Sequence, residues 1–352
     1  MRAVVAFACL GFSAAVAAAS GERVPAGEAA AIAEVQRLTT ERFLAHYRDG
    51  QRPLLRDAHP KMHGLVRAEF IVEPDLPREL RHGVLREPHT YPAWIRFSAS
   101  SETPRSDRVP DGHGMAIKLM DVAGRKLLDG ERRARTQDFV MINHPTFFVR
   151  DIADYVDFNR ALAAHTEDAW FAAHPAQAAA AQAIIGHAVG NPLQARYWSQ
   201  TPYELGPDIV KFSARPASAM HDPVPADGGA EFLHDAMRAT LAQGEVTFDF
   251  LVQVRSDAAT MPVEDALVEW DEAKAPFRKV ATIRIPRQDI DADGRAAFGE
   301  NLSFTPWHSL PAHRPLGGIN RARRTIYESI SALRHTRNGT PRSEPVPGDG
   351  PR

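Results

Sequence analysis

Apolar and polar positions alternate along seven stretches of the chain: 65–73 (LVRAEFIVE), 93–100 (AWIRFSAS), 115–122 (MAIKLMDV), 138–143 (DFVMIN), 209–216 (IVKFSARP), 246–254 (VTFDFLVQV) and 277–285 (FRKVATIRI). A period of two predicts β-strands with one face buried. Helical spacing replaces it at 26–47, 151–165, 175–189 and 229–242. Groups of strands with helices between them predict an α+β fold, a closed antiparallel β-barrel with inserted and flanking helices. No internal repeat is visible. The stretch 336–352 (TRNGTPRSEPVPGDGPR) is rich in Pro and Gly with little to bury, and is expected to be a disordered tail.

The last helical stretch, RARRTIYESISALRH (321–335), is unusual in what it aligns. At about 100° per residue, Arg323, Tyr327, Ile330 and Arg334 fall on one side, flanked by Ile319, Ile326 and Leu333. Arg321, Arg324, Glu328, Ser331 and His335 point the other way. The side expected to face the core thus carries two guanidiniums around a phenol. Most Tyr–Arg pairs are surface ladders, but here apolar residues border the trio. Burying guanidiniums requires anionic partners, and this face holds no Asp or Glu. A bound anionic group is an economical source. A cation one turn away favours the ionised phenol, and Tyr is an axial ligand of haem iron in some proteins. Haem would also account for the second guanidinium, since its two propionates need cations.

Composition adds little. A chain of 352 residues that is 44% hydrophobic and 24% charged, with a formal charge of −2, builds a full core and gives no reason to expect nucleic acid or an anionic membrane as partner. The N-terminus changes the picture. MRAVVAFACLGFSAAVAAASGE has one Arg, an apolar run, then small residues, the pattern of a signal peptide over 1–20 with cleavage near Ala19 or Ser20. Export, to the periplasm, is the expected localisation. Cleavage would remove Cys9, the chain's single cysteine, excluding disulfides, thiol nucleophiles and thiolate metal sites from the mature protein. No other stretch is long and apolar enough for a membrane span.

Two motifs need weighing. DIDADGRAAFGE (289–300) fits a calcium-loop pattern, but a strand-like segment precedes it and a proline-containing segment follows, so a solvated acidic turn is expected. RDAHPKMHG (56–64) holds Arg56, His59 and His63. As a metal pair the histidines lack a third ligand and are separated by Pro60. Arg96 stands between Ile95 and Phe97, so it points to the opposite face of its strand. Asn143 precedes an apolar run.

Taken together, these segments resemble the haem catalase family in its shorter bacterial branch of catalase-related peroxidases. The family's distal R-x-x-H-x-K is similar to Arg56-Asp-Ala-His59-Pro-Lys61, and its V-R-F-S strand to Ile95-Arg96-Phe97-Ser98. D-P-R-G-F-A-V-K is similar to DGHGMAIK (111–118), and N-x-P-x-F-F-I-R-D resembles Asn143 to Asp151. The closing R-x-x-x-Y with a further Arg matches Arg323, Tyr327 and Arg334. The five segments keep the family's order.

The resemblance implies a catalase-like haem domain over 51–337, preceded by an N-terminal helical segment at 21–50 and followed by the tail at 338–352. Haem b would lie against the barrel, with Tyr327 as the iron's axial ligand and Arg323 keeping the phenol ionised. His59 would be the distal acid–base, oriented by Ser98, with Asn143 hydrogen-bonding the peroxide. Arg56, Arg96 and Arg334 would meet the propionates. The implied activity is peroxide reduction, as catalase or as peroxidase with an unidentified electron donor, and a homo-oligomer is compatible with it. Ser331 stands where larger catalases often have His, Glu328 where Pro usually follows the ligand, and no long wrapping arm or C-terminal domain is recognisable. Thinner walls would admit larger substrates. A fatty-acid hydroperoxide isomerase or lyase on the same fold has Thr before the distal His, where this chain has Ala58. A non-catalytic haem-binding protein would not need His59 and Asn143.

Overall fold

The computed structural model describes residues 21–351, so the expected signal peptide lies outside the described residues. Helix α1 (Glu28–Ala45) leads into β1 (Met62–Val72), β2 (Thr90–Ala99), β3 (His113–Met120) and β4 (Thr136–Ile142). Three helices follow, α2 (Ile152–Ala163), α3 (Glu167–Ala173) and α4 (Pro175–Ile185), then short β5 (Tyr197–Trp198) and β6 (Tyr203–Leu205), and β7 (Asp208–Pro216). Helix α5 (Phe232–Gln243), β8 (Val246–Val254), β9 (Arg278–Ile285), α6 (Arg295–Asn301) and α7 (Gly318–Asn338) complete the order. All seven sequence-predicted strands are present. Strands β5 and β6 and helices α3 and α6 were not expected, being too short to register a period, and α6 takes up the second half of the stretch 289–300 expected as an acidic turn. The acidic turn at 289–294 follows strand β9 and precedes the seven-residue α6, so it lacks the first helix of an EF-hand.

Every pairing is antiparallel, in the order β5-β4-β3-β2-β1-β9-β8-β7, and β5 also pairs with β7. That last pairing closes an eight-stranded barrel, with β6 added beside the far end of β7. The α+β barrel is therefore as the period-two pattern and its inserted helices predict. Phe70, Phe139, Phe212 and Phe250 fill the interior, with ring centroids 4.8–5.0 Å apart for Phe139–Phe250, Phe70–Phe250 and Phe139–Phe212. Because side chains alternate, the same strands turn Arg96, Ser98, Gly114, Ala116, Lys118, Asp138 and Val140 outward.

Outward residues of β2–β4 are covered by α1, α2 and α7, which share a core of Val35, Phe43, Ile152, Val156, Ala322, Ile326 and Ile330. Asp151 caps α2 by accepting from the amides of Ala153 and Asp154. At the start of α7, Arg321 is held by Glu22, Glu28 and Glu264, at 2.6–3.0 Å.

Among the described residues no helix or strand follows α7, yet the side chain of Glu344 is buried, its carboxylate 2.5 Å from the Lys118 ammonium. Lys118 also meets Asp138 at 2.7 Å, and His308 bridges Asp138 and Glu131 at 2.8 and 2.6 Å. This anchor is a charge, which a count of apolar residues along the tail does not register. No helix among the described residues is long and apolar enough to cross a membrane.

Candidate functional site

Cross-strand register makes the floor. Arg96, Ala116 and Val140 form one row across β2, β3 and β4, and Ser98, Gly114 and Ile142 form the next. Small residues at 114 and 116 leave the space that α7 and the segment 56–59 roof over. Two adjoining cavities result, of about 740 and 1360 Å³ of non-atom space with their mouths included. They share Asp57, Ala58, His59, Val140 and Tyr327 as lining residues.

On one wall, His59 adopts φ 61°, the left-handed conformation that non-glycine residues avoid. Its surroundings fix it there: Nδ1 lies 3.1 Å from Ser98 Oγ, and Gly114 lies directly beneath the ring. A Cβ at position 114 would stand 2.7 Å from ring atoms Cε1 and Nδ1, so only glycine leaves the imidazole where it is. Burial, then the Arg96 cation, lowers the His59 pKa to about 4. The ring is neutral at ordinary pH. The chain bends at 57–59, and the turn at His59 brings Arg56 and His59 to the same cavity.

At the other end, Arg56, Arg96 and Arg334 converge on the smaller cavity. Arg56 Nη2 donates to the carbonyls of Gly299 and Leu302 at 2.7 and 2.6 Å, Arg96 Nη2 to Pro60 at 3.2 Å, and Arg334 to the Glu300 carbonyl. The Glu300 carboxylate reaches Arg334 at 3.2 Å and Arg96 at 3.8 Å, while Arg56 forms no ion pair among the described residues. One carboxylate therefore pairs with two of the three guanidiniums, and the Nε atoms of Arg56 and Arg96 are buried without a partner. Burial and the neighbouring Arg56 push Arg96 well below the usual guanidinium range and Arg334 to about 10, with Glu300 opposing both.

Across from His59, Tyr327 projects from α7 and lines both cavities, and its hydroxyl has no hydrogen bond among the described residues. Arg323, one turn before it, is 9% exposed, donates to Thr201 Oγ1 and Asn320 Oδ1 at 3.1 and 3.2 Å, and lies 5.1 Å over the Phe147 ring. It has no carboxylate partner among the described residues. The wheel is right about the buried side, but Ser331 also lines the smaller cavity and His335 is buried. The loop carrying Ser303 covers that flank, with Ser303 Oγ 2.6 Å from Ser331 Oγ and 3.3 Å from His335 Nε2.

The structure does not bring Asn143 into either cavity. Its Oδ1 accepts from the His113 amide at 2.8 Å and its Nδ2 is buried without a partner. Strand alternation is the reason: Ile142, one residue earlier, faces the larger cavity instead. His63 is also outside, fully buried in β1 with its ring centroid 5.6 Å from that of His113. Sequence reading passed over Asp57, which lines both cavities, and the apolar wall of the larger one formed by Phe147, Phe148, Phe158, Leu162, Phe171 and Ile184.

Such a site can hold a flat, doubly anionic group: cations at its edge, a phenol oxygen on one face and a neutral imidazole on the other. No family model matches the chain, and no curated protein is similar to it. Solved structures are. A fungal catalase superposes with TM-score 0.66 at 17% identity, covering 83% of this chain and 61% of its own. A bacterial catalase gives 0.62 at 18% identity, covering 84% and 59%, and catalase A from Saccharomyces cerevisiae 0.65 at 17%, covering 83% and 63%. The fold is catalase-like, and the chain spans about three fifths of the length of these structures.

Proposed function

We propose that this chain is an exported, haem-dependent enzyme that reduces peroxides. The observation that carries the reading is the charge count at the smaller cavity. Of three clustered guanidiniums, Arg56 half-buried and Arg96 and Arg334 buried, only the last two meet the single carboxylate, so about two negative charges are wanting where the propionate edge of haem would sit. The phenol of Tyr327, free of hydrogen bonds, is the oxygen available to ligate iron from α7, with Arg323 supplying positive charge one turn away. Haem, when bound, supplies the redox chemistry of O–O cleavage.

The chain's own residues bind, orient and move protons. His59 stays neutral above about pH 4 and can take the proton of an arriving peroxide. In the tautomer whose Nδ1–H donates to Ser98 Oγ, Nε2 holds the free lone pair. The phenyl-rich wall of the larger cavity favours organic hydroperoxides alongside hydrogen peroxide, with an organic reductant or a second peroxide closing the cycle. Ala58 beside His59 favours reduction over the isomerase reading, and a tight His59–Ser98 pair is more than a passive haem carrier needs.

The test is the absorption spectrum of the purified, haem-loaded protein, followed by oxygen release and donor oxidation on adding hydrogen peroxide or an alkyl hydroperoxide. A tyrosinate-ligated ferric spectrum with peroxide consumption is the expected result. Protein that binds no haem, or binds it and leaves every peroxide intact, overturns the reading.

A further inference from the structure

We propose that Asp57 and His59 divide the proton chemistry of peroxide cleavage, His59 taking the proton from the peroxide as it arrives and Asp57 delivering one to the oxygen that leaves. The inference rests on the peroxide-reducing reading and deepens it. Its ground is placement: the two side chains stand on one wall, two residues apart, and both line both cavities. The Asp57 carboxyl has no hydrogen bond and no ion pair among the described residues, although it is half-buried. The cation that acts on it, Arg42, is already engaged, bonding Glu102 at 2.8 Å and Asn159 at 3.2 Å. A carboxyl left without a partner beside a reaction cavity is free to bind and release a proton there.

The environments of the two groups push their protonation apart. Burial raises Asp57 to about 7, with Arg42 opposing and Glu102 adding. His59 falls to about 4, through burial, Arg96, Arg323 and His113, with Asp111 opposing. Tyr47, two residues beyond the end of α1, and Tyr155 from α2 also face Asp57, and Tyr327 lines both cavities with it. Near neutral pH the site thus holds a neutral base and a protonated acid side by side, the arrangement that assigns acid and base roles elsewhere. In the R-x-x-H-x-K pattern Asp57 falls on an unspecified position, so the pattern gives it no role.

The balance closes. His59 Nε2 accepts the proton of the inner oxygen. The O–O bond breaks with both electrons going to the outer oxygen, which takes the Asp57 proton and leaves as water or an alcohol. Haem, when bound, would supply the two electrons that the inner oxygen then lacks, and the reductant, an organic donor or a second peroxide, would return two electrons together with two protons, so that the inner oxygen leaves as water. The proton on His59 then returns to the Asp57 carboxylate.

The experiment compares wild type, Asp57→Asn and Asp57→Glu, all loaded with haem. It combines stopped-flow cleavage of hydrogen peroxide across pH with infrared titration of the protonated-carboxyl band in haem-free and loaded protein. In wild type the rate and the band should fall together as pH rises through about 7. Asp57→Asn should lose both the band and that limb of the profile and slow by roughly a hundredfold to ten-thousandfold, with Asp57→Glu restoring part of each. An Asp57→Asn protein that keeps the wild-type rate and limb overturns the proposal, as does an infrared band that does not change on substitution. Wild-type protein that binds no haem overturns the underlying reading whichever way Asp57 titrates.

Discussion

Gly114→Ala is the sharpest single test of how the site is built. The change adds one methyl group to a strand whose backbone at that position any residue can adopt, so it introduces no conformational penalty. The new Cβ would stand 2.7 Å from His59 Cε1 and Nδ1 and 3.0 Å from Ser98 Oγ, where ordinary contact begins near 3.4 Å. The imidazole must therefore move by about 0.7 Å. It cannot move freely, because its backbone is in a left-handed turn and its Nδ1 is tied to Ser98. Overpacking of this kind costs about 1–3 kcal/mol in stability. A displacement approaching 1 Å in a group that must meet its substrate costs about a hundredfold in rate. The assay is stopped-flow peroxide cleavage normalised to bound haem, with thermal unfolding alongside. The expected outcome is a large loss of rate, near-normal haem content and a modest loss of stability, since the cation cluster and Tyr327 are untouched. A variant that cleaves peroxide at the wild-type rate would refute the placement of His59 as the reacting base.

Three further outcomes are expected. Glu300→Gln leaves three guanidiniums without a carboxylate and should cost haem-free protein about 3 kcal/mol in urea unfolding, but clearly less after loading, when propionates take its place; equal losses would contradict an anionic cofactor at that edge. His59→Ala should slow cleavage roughly a hundredfold or more at near-normal haem content, whereas His63→Ala should retain the rate and lose stability, because His63 is fully buried beside Asp107 and His113 and lines neither cavity. Glu344→Gln should loosen the tail and lower stability most near neutral pH. Its carboxylate is held well below the usual range by Lys118 and His308, so its contribution is present above its unfolded pKa and lost in strong acid. His308 is raised to about 9, so its share is full below its unfolded value and fades as pH rises through about 9, which limited proteolysis of residues 340–351 across pH would follow.

The sequence by itself determined the strands, because a period of two survives only where one face of a sheet is buried, and all seven long strands carry it. It also determined that α7 buries cations around a phenol, since helical spacing fixes which residues share a side whatever packs there. Short patterns located Arg56, His59, Arg96, Ser98, Arg323, Tyr327 and Arg334, which line the two cavities in the structure. Only the tertiary structure decided the rest. Ile142 is the last residue of β4 and Asn143 follows it, and which of them faces the cavity depends on the pairing of β4 with β3. His59 and His63 are four residues apart, and a left-handed turn at one and a strand at the other separate them by surroundings rather than by spacing. Glu300, the carboxylate among the three guanidiniums, and Asp57, the acid beside the base, carry no periodic signal. A charge acquires its role from what the fold brings within a few ångströms of it, and that distance is not written along the chain.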